Sequence, residues 1–306
     1  MHADRNLPED GNIPMKILII INPNSCGGKH RKDTFFSDAL SFLNTVGIEY
    51  EALFKENVEE IREMAAKAAG VDAVVACGGD GTISVVADGL TRNPDPELKL
   101  GVLYAGTSPD FCRFHHIPID TREAVALLAA GKSKKIDVME IRHNGKEEHF
   151  CCSCNLGMGA DVATLANRLR PRLGDGFGTF CALLWNLLKS TPHDYTVNGK
   201  IMRNCNHLLI TKTRLIASGL RLDLPLSDND GKFAVWSVSG LSFFGWLRLL
   251  PKLYKGEKAG EYTLREYPIY ICSDDVVHVE FDGDSHGTLP VEISLLKQKL
   301  NLICGE

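Results

Sequence analysis

The run Gly78-Gly79-Asp80-Gly81-Thr82 constrains this chain more than any other stretch. It follows directly on Ala73-Val74-Val75-Ala76-Cys77, a short apolar run of the kind that forms a buried strand. Three glycines around one carboxylate make poor core and poor helix. They suit a phosphate cradle, because backbone without Cβ atoms brings its N–H groups close to an anion. Ile83 to Leu90 then predicts a helix whose N-terminus is aimed at the same place.

The flanking segments repeat this strand-then-helix rhythm. Lys16 to Asn22 reads as a short apolar strand of the type covered on both faces. His30 to Gly47 predicts a helix, with Phe35, Phe36, Ala39, Leu40 and Leu43 on one side. Tyr50 to Lys55 predicts a second strand, Val58 to Ala69 a second helix and Leu100 to Tyr104 a further strand. Such alternation implies a parallel, Rossmann-like α/β sheet with right-handed crossovers. Ligands of these sheets lie beyond the carboxyl ends of the strands. Asn22 to Gly28, Gly78 to Thr82 and Gly106-Thr107 all fall on that edge.

After about Gly131 the rhythm changes. Lys135 to Arg142, His149 to Asn155, Asp194 to Val197, His207 to Thr213, Lys232 to Ser239 and Val276 to Phe281 read as strands. Asn144-Gly145 is a hairpin turn signal. Helices are expected around Asp161 to Leu169 and Gly178 to Ser190. The second half is therefore expected to be a mostly antiparallel β-sandwich. The chain divides into a flexible tail at 1–14, an α/β nucleotide-binding domain at 15–132 and a β-rich substrate domain at 133–306.

Bulk properties exclude several classes. A net charge of −5 gives no basic surface for nucleic acid. No apolar run approaches the ~20 residues that cross a bilayer, so membrane contact must be peripheral. The ten cysteines are scattered, and Cys151-Cys152-x-Cys154 lacks a second cluster at zinc spacing. They read as free, mostly buried thiols of a cytoplasmic protein. A homodimer is compatible with the sequence.

Three constellations carry chemistry. Asp80 sits awkwardly beside phosphates unless a divalent cation neutralises the site, which points to Mg²⁺; the competing reading is a helix cap. Thr82 offers a hydroxyl to a phosphate oxygen or a metal-bound water. Asp282-Gly283-Asp284 places two carboxylates on one loop, and phosphoryl transfer to a hydroxyl needs a proton acceptor and charge neutralisation. Ser227-Asp228-Asn229-Asp230-Gly231 is dense enough in oxygen to hold a cation, though a plain hairpin turn fits it equally.

Together these pieces resemble the diacylglycerol kinase catalytic-domain superfamily, in order along the chain from Met15. Asn22-Pro23-Asn24-Ser25 resembles the opening nucleotide loop, and Gly78 to Thr82 reproduces the G-G-D-G-T signature. Tyr104 to Phe114 resembles P-x-G-T-x-N-D-F-A-R, with Gly106, Thr107, Asp110, Phe111 and Arg113 retained. Asn155 to Ala160 resembles the small-residue stretch opening the second domain's helix. Asp230-Gly231 matches the element that holds a structural Mg²⁺ in bacterial members, and Asp282-Gly283-Asp284 falls at D-G-E.

The resemblance implies a two-domain fold shared with NAD kinases, ATP as donor, Mg²⁺ as cofactor and a lipid alcohol as acceptor. It implies a cofactor site of Asn22, Pro23, Asn24, Ser25, Cys26, Gly78, Gly79, Asp80, Gly81, Thr82, Gly106 and Thr107. It implies catalysis by Asp284, Asp282 and Asp80, and a metal site at Ser227, Asp230 and the Lys232 carbonyl. It also implies that the last strand, near Leu300, returns to the first domain. Four positions depart from the family pattern. Pro109 replaces Asn, removing a backbone donor and fixing φ. Cys26 replaces Gly, Asp284 replaces Glu, and Phe54 or Lys55 stands where a polar residue is usual. An NAD kinase-like enzyme, or a nucleotide-binding regulator without turnover, remains as an alternative.

Phe177 to Leu188 and Leu241 to Tyr254 are unusually apolar and aromatic, the second among Arg248, Lys252 and Lys255. They read as helices covering a sheet or as a surface that meets lipid, with Trp246 as the test position.

Overall fold

The computed structural model describes residues 15–23, 29–106, 108–189, 191–217 and 219–305. The first half comprises β1 (Lys16–Ile21), α1 (Lys29–Val46), β2 (Glu49–Phe54), α2 (Val58–Lys67), β3 (Ala73–Gly78), α3 (Asp80–Thr91), β4 (Lys99–Tyr104), α4 (Asp110–Phe114) and α5 (Thr121–Ala130). Strand β1 pairs with β2 and β3, and β3 with β4, all in parallel. Helices α2 and α3 cover one face, where Ile61, Ala65, Ile83 and Val86 are buried. Helices α1 and α5 cover the other through Phe36, Leu43, Val125 and Leu128. Coverage on both sides is why β3 reads as an unbroken apolar run rather than an alternation.

The second half comprises β5 (Ser133–His143), β6 (Lys146–Phe150), β7 (Ser153–Gly157), α6 (Met158–Leu173), α7 (Asp175–Lys189), β8 (His193–Val197) and β9 (Lys200–Thr211). Two short strands follow, β10 (Leu215–Ile216) and β11 (Leu220–Arg221). Then come β12 (Phe233–Ser239), α8 (Phe243–Lys255), β13 (Glu261–Arg265), β14 (Ile269–Cys272), β15 (His278–Phe281), β16 (Asp284–Thr288) and β17 (Val291–Ile303). Pairing within this half is antiparallel. Strand β9 pairs with β8 through its first half and with β7 and β12 through its second. It thereby ties these strands together around a core that includes Phe150, Tyr195, Ile210, Phe233 and Ile293.

Strand β17 joins the two halves. It pairs antiparallel with β5 along its length and parallel with β4 at Asn301 and Leu302. The Asn144-Gly145 turn forms as expected, with both residues at positive φ.

The strand expected over His149 to Asn155 is broken. It leaves the β5 ladder after Phe150 and re-pairs with β9 from Ser153. The N–H groups of Cys151, Cys152 and Ser153 turn instead to the Asp282 carboxylate, at 2.9, 3.1 and 3.1 Å. The nine described cysteines are free, and all but Cys181 and Cys272 are buried. Trp246 is buried at 3 % exposure, so it belongs to the core beneath α8 rather than to a lipid-facing surface.

Candidate active site

The glycine loop folds against its neighbours as the parallel sheet requires. At the end of β1, the Asn22 N–H donates to the Cys77 carbonyl, and Asn22 Nδ2 reaches Thr82 Oγ1 at 3.2 Å. The Ala105 N–H donates to the Gly78 carbonyl, so the loop after β4 lies along the one after β3. The contact is intimate. A Cβ on Gly106 would stand 2.6 Å from the Gly79 Cα and 2.6 Å from the Tyr104 hydroxyl, so only glycine allows this approach.

Gly79 is the N-cap of α3 and offers no side-chain cap. The Asp80 carboxylate therefore does not cap its own helix, and the first-turn N–H groups of α3 stay open toward the rim. Thr82 is buried at the same end. Pro23 is placed beside Asn22, whereas Asn24, Ser25, Cys26 and Thr107 lie outside the described residues.

Asp80 heads a cluster of carboxylates. Burial raises its pKa well above the usual range, and the charges of Asp110 and Asp282 push it further; the Asp110 backbone N–H opposes the rise. Its Oδ1 is buried without a hydrogen-bond partner. Asp110 opens α4, and the Ser108 hydroxyl donates to its Oδ2 at 3.0 Å. Pro109 does not disturb this loop. It is the N-cap of α4 with φ −80°, a value its ring adopts freely, and its carbonyl accepts the Arg113 N–H. Asp110 and Asp282 thus lie close enough for their charges to act on Asp80, and carboxylate oxygens are the donor type a hard divalent cation takes.

The Asp282-Gly283-Asp284 turn links β15 to β16 and is tied down from several sides. Asp282 accepts the three backbone N–H groups between β6 and β7, and the Ser84 hydroxyl also donates to it. Burial raises its pKa, and these donors hold the rise back. The Gly283 N–H donates to Glu280 Oε1 at 2.6 Å, and Asn167 of α6 donates to the Gly283 carbonyl at 3.1 Å. The Asp284 backbone pairs with Phe281, and its side chain lies outside what the structure describes.

Gly81 and Ser84 of α3 line the same cavity as Phe281, Asp282 and His286, with a volume of about 230 Å³. The glycine loop and the acidic turn thus face one crevice between the two halves. Its far wall holds residues that sequence reasoning missed: Arg62, Asp88, Glu148 and His149. Asp88 accepts Arg62 Nε at 2.5 Å, Arg92 Nε at 2.9 Å and meets His149 Nδ1 at 2.6 Å. Burial alone would raise Asp88, but His149 and Arg92 hold it below the usual range.

The diacylglycerol kinase catalytic-domain pattern matches residues 16–141. A diacylglycerol kinase from Staphylococcus aureus is 37% identical over 301 residues, covering 93% of this chain and 90% of that one. The chain belongs to the diacylglycerol kinase family. A diacylglycerol kinase from Mycobacterium tuberculosis is 28% identical over 300 residues, covering 94% of each chain. A crystal structure of a diacylglycerol kinase from Bacillus anthracis shares the fold, with a TM-score of 0.73 at 21% identity, over 95% of this chain and 97% of that one. This is a family of lipid kinases, and its two-part architecture is the one described above.

In this diacylglycerol kinase relative, Ser227, Asp230 and Lys232 do converge, but around an ammonium group. Lys212 Nζ lies 2.6 Å from Asp230 Oδ1, 2.8 Å from the Lys232 carbonyl and 2.8 Å from Asp137 Oδ2. The Ser227 and Lys232 N–H groups complete the hold on Asp230. Lys212 is 1 % exposed. The donor set expected to hold a structural Mg²⁺ therefore does not fit one here, because a side-chain cation already fills it.

Proposed function

We propose that the protein is an ATP- and Mg²⁺-dependent lipid kinase that phosphorylates the hydroxyl of a lipid alcohol such as diacylglycerol. One observation carries this reading: the uncapped N-terminus of α3 and the Asp282 turn share one cavity. Gly78, Gly79, Gly81 and Thr82 hold the phosphates through backbone N–H groups, with Asn22 and Gly106 shaping the cradle. Asp80 and Asp110 are the residues that would hold Mg²⁺. Bound there, Mg²⁺ supplies charge neutralisation at the nucleotide phosphates. Asp284 takes the proton from the acceptor hydroxyl. Asp282 fixes the turn that presents Asp284, since its oxygens already accept three backbone donors. Catalysis rests on positioning and charge neutralisation.

The acceptor arrives from a bilayer surface. Phe177, Phe180, Trp185 and Leu188 of α7 are exposed, as are Phe244 and Leu247 of α8, and the two helices touch. Lys189, Arg248, Lys252 and Lys255 are exposed on the same two helices. Exposed aromatic side chains flanked by lysines suit an anionic membrane interface. No helix among the described residues is long and apolar enough to cross a membrane.

The test is transfer of labelled phosphate from ATP to a panel of diacylglycerol, a long-chain amino alcohol and NAD. Labelled lipid without labelled NAD is expected. Asp80→Asn and Asp284→Asn should each lower turnover by about a hundredfold or more. Labelled NAD alone, or ATP binding without transfer to any acceptor, overturns the reading.

A further inference from the structure

The cavity beside Asp282 has a second cluster whose donors are not those of a Mg²⁺ site. His143 at the end of β5, Glu148 of β6 and His286 of β16 each turn one ligand-type atom toward a common point, and these atoms all lie within 4.8 Å of one another. His143 Nε2 is 2.8 Å from Glu148 Oε2, and His286 Nδ1 is 3.6 Å from the same oxygen. Ligand atoms on a tetrahedral Zn²⁺ with bonds near 2.0–2.1 Å stand roughly 3.3 Å apart, a spacing these two distances bracket. From this geometry we propose that His143, Glu148 and His286 form a binding site for a borderline divalent transition ion, Zn²⁺ foremost.

The surroundings support a built site. The His286 ring stacks on Phe281 at 3.5 Å between centroids and 13° between planes, and His143 meets both rings edge-on. The two imidazoles are therefore held by packing. Arg62 Nη2 takes the other carboxylate oxygen, Glu148 Oε1, at 3.3 Å, which leaves Oε2 for the ion. Such outer partners orient metal ligands. Glu148 and His286 line the cavity, so the fourth position opens to it, as in sites with three protein ligands and one exchangeable one. Two imidazoles and one carboxylate select Zn²⁺, Co²⁺ or Ni²⁺ over Mg²⁺, which prefers oxygen.

A neighbouring group on the opposite face of the β5–β6 hairpin gives a useful contrast. Glu140, Glu147 and His149 are also close together. Arg142 already lies 3.0 Å from both Glu140 and Glu147, and His149 is engaged by Asp88. In that group Arg142 takes both carboxylates, whereas in the first Arg62 takes only Glu148 Oε1 and Oε2 faces the two histidines.

An ion at the first group would tie β16 to the β5–β6 hairpin two residues beyond Asp284. It would thereby pin the acidic turn. The test reads metal binding with neither ATP nor lipid present, so its outcome is independent of the kinase reading. The chelator-stripped full chain is dialysed against Zn²⁺ and excess Mg²⁺, and bound zinc is counted by mass spectrometry. Co²⁺ binding is followed by its visible bands. One equivalent of zinc is expected, with tetrahedral Co²⁺ bands and slowed amide exchange over Gly283 to His286. His286→Ala, at a half-buried position, should weaken binding by more than about tenfold, and His143→Asn likewise. Glu140→Gln should leave binding unchanged. Absence of a bound equivalent overturns the proposal, as does zinc retained equally by both histidine variants.

Discussion

Asp282 shows how one carboxylate can hold a site together without performing its chemistry. Its oxygens accept the Cys151, Cys152 and Ser153 N–H groups in a buried position. Asp282→Asn replaces one acceptor oxygen with a donor that faces other donors. We expect a loss of about 2 kcal/mol or more, measured by urea unfolding. Asp284→Asn, on the same turn, should lose turnover with stability unchanged. Equal stability for both variants would show that Asp282 does not frame the turn.

His207 gives a pH prediction at the same scale. Burial lowers its pKa to about 4 from the ordinary 6.5, and its Nδ1 lies 3.3 Å from the Gly159 N–H donor at the start of α6. The folded pKa is below the unfolded one, so the unfolded chain binds the extra proton between those values. Stability is full above about pH 6.5 and falls toward pH 4, by up to about 3 kcal/mol from this group. His207→Gln should flatten that part of the unfolding profile. An unchanged slope would remove His207 as its source.

At the scale of elements, the parallel half was legible because its signals are local. A β3 with no polar residue and a glycine loop before a helix can be read without knowing any partner. The β6–β7 break was not legible, since its cause is a carboxylate 129 to 131 positions away. Strand β17 was seen only as a returning end. A register shift between Leu296 and Leu300, with Gln298 at φ 49°, interrupts its alternation. Lys212 escaped notice because a lone lysine at a strand end carries no pattern. Its role is nevertheless testable. Lys212→Met leaves Asp137 and Asp230 facing each other without their cation, at a cost of about 3–5 kcal/mol. Without nucleotide, Mg²⁺ should raise the melting temperature of this variant more than that of the parent chain. Equal responses would mean that the ammonium does not stand in for an ion.

At the scale of the whole molecule, the crevice between the halves and the greasy face of α7 and α8 must work together. The relevant side chains on that face are Trp185, 53 % exposed with Lys189 4.2 Å above its ring, and Phe244, 69 % exposed. Trp185→Ser with Phe244→Ser should reduce binding to vesicles of phosphatidylglycerol by about tenfold or more, given 1.5–3 kcal/mol for each large apolar side chain transferred from water. Turnover on a short-chain, water-soluble acceptor should persist. Vesicle binding that survives both changes would place the membrane contact elsewhere. The aromatic content of both helices was readable, but which rings face outward was not, because Phe244 and Trp246 share the first turn of α8 and differ only in the face they occupy, which the partner beneath the helix decides.

The pairing of β17 with β4 has a temporal side. A ribosome releases β4 long before the segment that will lie against it, so the parallel sheet waits with a raw margin while the entire β-rich half is made. The nascent protein should therefore depend on chaperones until its final strand emerges, and ribosome-stalled chains ending before Val291 should be cleaved by protease across both halves together.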